Sequence, residues 1–87
     1  MFRIVKKEVL GPDIKLFEVQ APLVARKILP GQFVMLRINS HGERIPLTMV
    51  ESDPEAGTVT IIFQEVGKTT RQLGTLGVGD ELSLIHI

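Results

Sequence analysis

The 87-residue sequence has no cysteine, no tryptophan and no tyrosine, and its charges cancel, with Lys+Arg and Asp+Glu both at 10. Without cysteine, the chain can form no disulfide and supplies no thiolate for a zinc or iron–sulfur centre. Without a basic field, and with no Trp or Tyr to stack bases, nucleic-acid binding is disfavoured. No run approaches the roughly 18 apolar residues of a membrane-crossing helix. The start MFRIVKKEVL has charges but no apolar stretch of the secretory type after them. No membrane partner is expected, and a cytoplasmic location is the default.

What is present describes one small folded domain. A hydrophobic content of 44% with 23% charge argues against disorder. A chain this size buries about 60–65% of its unfolded surface, which permits a single modest core. The pattern is one of short strands and turns. Residues 2–10 lean towards strand and end at Gly11-Pro12-Asp13, and residues 14–20 return to make a hairpin. Residues 21–29 read as a loop with a helical turn, closed by Pro30-Gly31. The near-continuous apolar run FVMLRI, residues 33–38, suits a strand buried on both faces. Residues 45–50 make the next strand, and Asp53-Pro54-Glu55-Ala56-Gly57 is a turn.

Residues 58–66 alternate, with Val59, Ile61 and Phe63 on one face and Thr58, Thr60, Ile62 and Gln64 on the other. The one helix expected from pattern is 69–76, with Thr69 or Thr70 as cap, Leu73 and Leu76 on one face, and Gly77 as stop. Residues 81–85 form the last strand. The expectation is an all-β protein: a small six-stranded antiparallel Greek-key barrel with one short helix, residues 1–87 as one domain.

Few residues offer catalysis. His41 and His86 have no Cys, His or carboxylate at ligand spacing and read as surface residues. Glu51, Asp53 and Glu55 surround a turn, where solvated carboxylates are usual. No hydrolytic triad can be assembled, and no catalytic or metal-binding residue is assigned.

Two segments suggest ligand binding. In Gly67-Lys68-Thr69-Thr70, a strand runs into glycine, lysine and two hydroxyls at a helix start, where open N–H groups favour phosphate. The echo of a P-loop fails, because its first glycine would fall at Ile62. The structural alternative is that the threonines only cap the helix. In Glu43-Arg44-Ile45-Pro46-Leu47-Thr48, proline inside a strand marks an edge, a bulge or an approaching ligand. Arg44, Pro46 and Thr48 share one side; Ile45, Leu47 and Met49 share the other. The plain alternative is an edge strand with a solvated arginine.

Taken in order, PGQFVMLRI, ERIPLTMV, TVTIIFQEVGKTTRQL and GVGDEL resemble the FAD-binding barrel of the ferredoxin–NADP reductase superfamily. The resemblance runs to about Leu82. It is strongest to electron-transfer subunits of dihydroorotate dehydrogenase B, and to small subunits of sulfide dehydrogenase and NADH-dependent ferredoxin:NADP oxidoreductase.

In that family an Arg-x-aromatic-Ser/Thr strand holds the flavin. The resemblance puts Ile45-Pro46-Leu47-Thr48 there, with Thr48 beside the flavin N5 edge and Leu47 against the ring. Ile45 falls where the family has its arginine, and Arg44 stands one residue earlier. Ile62, Phe63 and Gln64 would line the cofactor, and Gly67, Lys68, Thr69 and Thr70 would take the pyrophosphate.

The family continues into an NAD(P)H-binding domain and a [2Fe–2S] segment. It works with a larger catalytic subunit, of dihydroorotate dehydrogenase or glutamate synthase-like type. The expectation is therefore an FAD-binding fragment of an NAD(P)H-dependent oxidoreductase subunit, truncated before those parts and inactive alone. Ser83-Leu84-Ile85-His86-Ile87 replaces the family's Gly-Pro-Leu-Gly-like turn, and an artificial ending is the expectation there. A small β-barrel interaction module without cofactor is the alternative.

Overall fold

Alternation of apolar and polar residues, repeated along six short segments, closes this chain into a barrel. The computed structural model describes residues 1–39 and 42–86. His41, read from the sequence as a surface residue, lies outside the described residues. The elements in chain order are β1 (Phe2–Gly11), β2 (Ile14–Gln20), α1 (Pro22–Lys27), β3 (Phe33–Arg37), β4 (Arg44–Asp53), β5 (Thr58–Gln64), α2 (Lys68–Gly74) and β6 (Glu81–His86). The wall runs β1-β2-β5-β4-β3-β6 and closes on itself, every neighbouring pair antiparallel. Closure leaves no free sheet edge.

Phe17, Val19, Val59, Ile61 and Phe63 alternate into the interior from β2 and β5, joined by Ile4, Val34, Leu36, Met49, Leu82 and Leu84. Phe17 and Phe63 meet edge to face, with centroids 5.1 Å apart. The β4–β5 turn is tied by Asp53, whose Oδ1 accepts from the N–H groups of Glu55 and Ala56, each at 3.1 Å. Gly57 closes that turn at φ 73°, a left-handed conformation that favours glycine.

Three expectations change. β3 is buried on one face only: Val34 and Leu36 point inward, while Phe33 stays 54% exposed. Its outward residues lie beside β4, with Phe33 opposite Thr48 and Met35 opposite Pro46. The helical turn within 21–29 is a six-residue helix, α1, started by Pro22 in the first turn, where its missing N–H is harmless. α2 begins at Lys68, one residue earlier than expected, with Gly67 in the N-cap position and Thr70, at the third helical position, supplying the capping hydroxyl. The closing segment supplies wall in spite of its unusual sequence: Leu84 is buried and pairs with Leu36. No described helix is long and apolar enough to cross a membrane.

α2 rests on the barrel through the fully buried Leu73. Lys7 of β1 fixes its far end, donating from Nζ to the carbonyls of Gly74 at 2.9 Å and Leu76 at 2.8 Å. A cation there also suits the negative end of the helix. Below it, Lys15 and Glu65 form an ion pair whose side chains are only 13% and 16% exposed. These contacts set where the start of α2 stands.

Candidate functional site

β4 changes partners along its length. Its first half, from Arg44 to Thr48, is in register with β3, whereas register with β5 begins at Met49 opposite Ile61. Past that point the end of β5 turns away into Glu65 and Val66, and α2 follows. A cleft of about 330 Å³ opens between the two diverging segments. Residues 43–46 form one wall and residues 66–70 the other.

Residues 43–46 and 67–70 of the two expected binding segments thus face each other. Arg44 and Pro46 are exposed on the outer side of β4, and Ile45 is half-buried against the core. Among the described residues, ion pairs join Lys6 to Glu18 and Lys15 to Glu65, and neither Arg44 nor Lys68 takes part in one. The cleft therefore offers two cations without carboxylate partners. Gly67 is extended, at φ −141° and ψ 177°, and an added Cβ would meet nothing within 4 Å. Neither backbone strain nor packing in the bare domain requires glycine at that position.

The two threonines do different things. Thr70 is the local cap: its hydroxyl accepts from the N–H groups of Val66 and Gly67, both at 3.0 Å, and donates to the Gly67 carbonyl at 3.1 Å. Thr69 turns across the cleft and donates to Glu43 Oε2 at 2.5 Å. The structural reading of a capping threonine thus holds for Thr70, and Thr69 faces the site.

The other expected residues sit outside this cleft. Thr48 is exposed on the outer face beside Phe33, and Leu47 is half-buried, packed on the core from within. Ile62 and Gln64 face outward from β5. Phe63 faces inward, 4% exposed and packed on Phe17. The inward alternation with Val59 and Ile61 requires this. Glu43 stands first in one of the two segments, but no role for it is read from the sequence, since nothing local signals a partner 26 positions away.

The barrel superposes on part of the NADH-dependent reduced ferredoxin-NADP oxidoreductase structure, described for flavin-based electron bifurcation. The TM-score is 0.93 at 37% identity, covering 98% of this chain and 31% of that one. By architecture the chain is a reductase-type β-barrel domain. It belongs to the oxidoreductase FAD-binding domain family, whose model matches residues 1–85. A dihydroorotate dehydrogenase B (NAD(+)) electron transfer subunit homolog from Thermotoga maritima is 40% identical over 79 residues. An "uncharacterized protein in adh 3′ region" from Clostridium beijerinckii is 46% identical over 83 residues. These alignments cover 91% and 95% of this chain, which spans 28% of the length of each relative.

Proposed function

We propose that this domain holds FAD as the flavin-carrying part of an NAD(P)H-dependent electron-transfer subunit. The whole protein would pass electrons between NAD(P)H and an iron–sulfur, ferredoxin or dihydroorotate dehydrogenase-type partner in the cytoplasm. The observation that carries this reading is the cleft in which Arg44 and Lys68 stand without carboxylate partners around the open backbone of Gly67. Two cations and a hydroxyl above a glycine suit a pyrophosphate, and the half-buried Ile45 beside them suits a flat apolar ring system.

The residues divide the work. Arg44 and Lys68 neutralise the pyrophosphate, and Arg44 can do so through two parallel N–H donors. Gly67 lets phosphate oxygens approach the main chain, and Thr69 supplies a hydroxyl donor. Thr70 keeps the loop in place as the cap. Thr48, exposed on β4, offers a hydroxyl to the flavin edge, while Leu47 and Pro46 shape the surface that the ring meets. Ile62 and Gln64 extend that surface along β5, and Phe63 supports it from inside. Bound FAD would supply the redox chemistry, taking a hydride and releasing electrons singly, while the domain binds and orients it.

Titration of the 87-residue chain with FAD, followed by flavin fluorescence, tests the reading. Saturable binding that weakens in Lys68→Ala supports it. A folded chain that leaves FAD fluorescence unchanged refutes it.

A further inference from the structure

Glu43 stands where an anion is to bind, and it is a carboxylate. It lines the 330 Å³ cleft together with Arg44 and Lys68. It also lines a neighbouring cleft of about 370 Å³, formed with Ile38, Asn39 and Gln72. Lys68 and Thr69 belong to both as well, so the Glu43–Thr69 hydrogen bond runs along their shared boundary. At 2.5 Å between hydroxyl and carboxylate, it is of the short, charge-assisted kind. With two cations nearby, the carboxylate is nonetheless held by a neutral hydroxyl.

We infer that Glu43 limits the affinity of the cleft for its phosphate-bearing ligand, acting as an internal competitor for Thr69. The inference rests on the cofactor reading of the same cleft. A phosphate placed between Arg44, Lys68 and the start of α2 meets two obstacles. The Thr69 hydroxyl is already donating to Glu43, and the Glu43 charge repels the incoming anion. Both are removed together when the carboxylate turns away, because breaking one contact frees the donor and withdraws the charge. In the bare domain the same contact keeps the Thr69 hydroxyl satisfied and ties the segment before β4 to α2, 26 positions away. Glu43 is thus a positioning and affinity-setting residue, not a catalytic one.

The charge and the hydrogen bond are separable by substitution. Glu43→Gln keeps an oxygen that can accept from Thr69 but removes the charge; Glu43→Ala removes both. Riboflavin, which has no phosphate, reports any effect on the ring site alone. Glu55→Gln, in the distant β4–β5 turn, makes the same change in net charge.

The test is calorimetric titration of the four chains with FAD and with riboflavin, at low and high salt. Glu43→Gln is expected to tighten FAD about three- to tenfold, the scale of one partly exposed charge contact. Glu43→Ala should do at least as well, and Glu55→Gln should leave FAD binding unchanged. Riboflavin should bind all four chains equally. The gain should shrink at high salt, where exposed charges are screened. If the unmodified chain binds FAD and Glu43→Gln binds it equally or more weakly, the role of Glu43 is refuted while the cofactor reading stands. An equal gain for riboflavin, or from Glu55→Gln, also refutes it, because the effect would not lie with phosphate at this cleft. If the unmodified chain binds no FAD, both readings fall.

Discussion

The Glu65 side chain packs onto the α-carbon of Gly74 at the end of α2, so closely that a Cβ added there would lie 2.7 Å from Glu65 Cδ. That carboxylate is also the partner of Lys15. Two effects oppose each other in Gly74→Ala. Helix propensity favours alanine by about 1 kcal/mol. Displacing Glu65 breaks a mostly buried ion pair, which costs more, though its residual exposure tempers the loss. The expected result is a net destabilisation of about 1–2 kcal/mol in urea denaturation. Adding Glu65→Ala to Gly74→Ala should make that second alanine far better tolerated, because the obstacle has gone.

Thr70 has three hydrogen bonds to lose, all to the Val66–Gly67 backbone. Thr70→Val keeps the shape and removes the cap, which should destabilise the domain by about 1 kcal/mol. In a domain of this size that lowers Tm by roughly 4–8 °C. Thr70→Ser should stay close to the unmodified chain, which thermal melting will show.

Gly67→Ala separates binding from folding. Nothing lies within 4 Å of the added methyl and the backbone is extended, so the chain should fold with stability within about 1 kcal/mol of the original. The methyl nevertheless projects where the phosphate is to approach. FAD affinity should fall about tenfold or more, read by fluorescence titration of a chain whose melting curve is nearly unchanged.

Thr48 and Phe63 should behave in opposite ways. Thr48→Val, on the exposed face of β4, should leave stability within about 0.5 kcal/mol and weaken FAD binding. Phe63→Leu, inside the barrel against Phe17, should cost about 1–1.5 kcal/mol and leave FAD affinity of the folded fraction unchanged. Paired denaturation and titration of both variants checks this. A large loss of FAD affinity in Phe63→Leu at full folding would place that ring in the site after all.

The wall was legible where one strand carries its own alternation. Val59, Ile61 and Phe63 declare their face within β5, and Ile45, Leu47 and Met49 do so within β4. FVMLRI misleads because Phe33 and Met35 are apolar on the outer face, and only the β3–β4 register shows what stands beside them. Phe63 shares the inward alternation of β5, while the resemblance names it with the outward-facing Ile62 and Gln64 as cofactor lining. The facing of Arg44 and Lys68 was foreseeable as two motifs, but not as one cleft. It depends on β4 parting from β5 before Met49, an event that Pro46 marks locally as an edge or bulge without saying which segment faces the opening. The Glu43–Thr69 contact is hidden for the same reason.

The first and last strands meet as Phe2 opposite Leu82 and Arg3 opposite Glu81, nearly the full chain apart. During synthesis, therefore, the barrel cannot seal until residues 81–86 have left the ribosome. Until then β1 and β3 each present an open edge to any passing strand. So non-local a closure belongs to the slow, millisecond-to-second class of folding reactions. Both open edges are thus covered by the one strand β6, whose arrival removes them together as sites for a foreign strand.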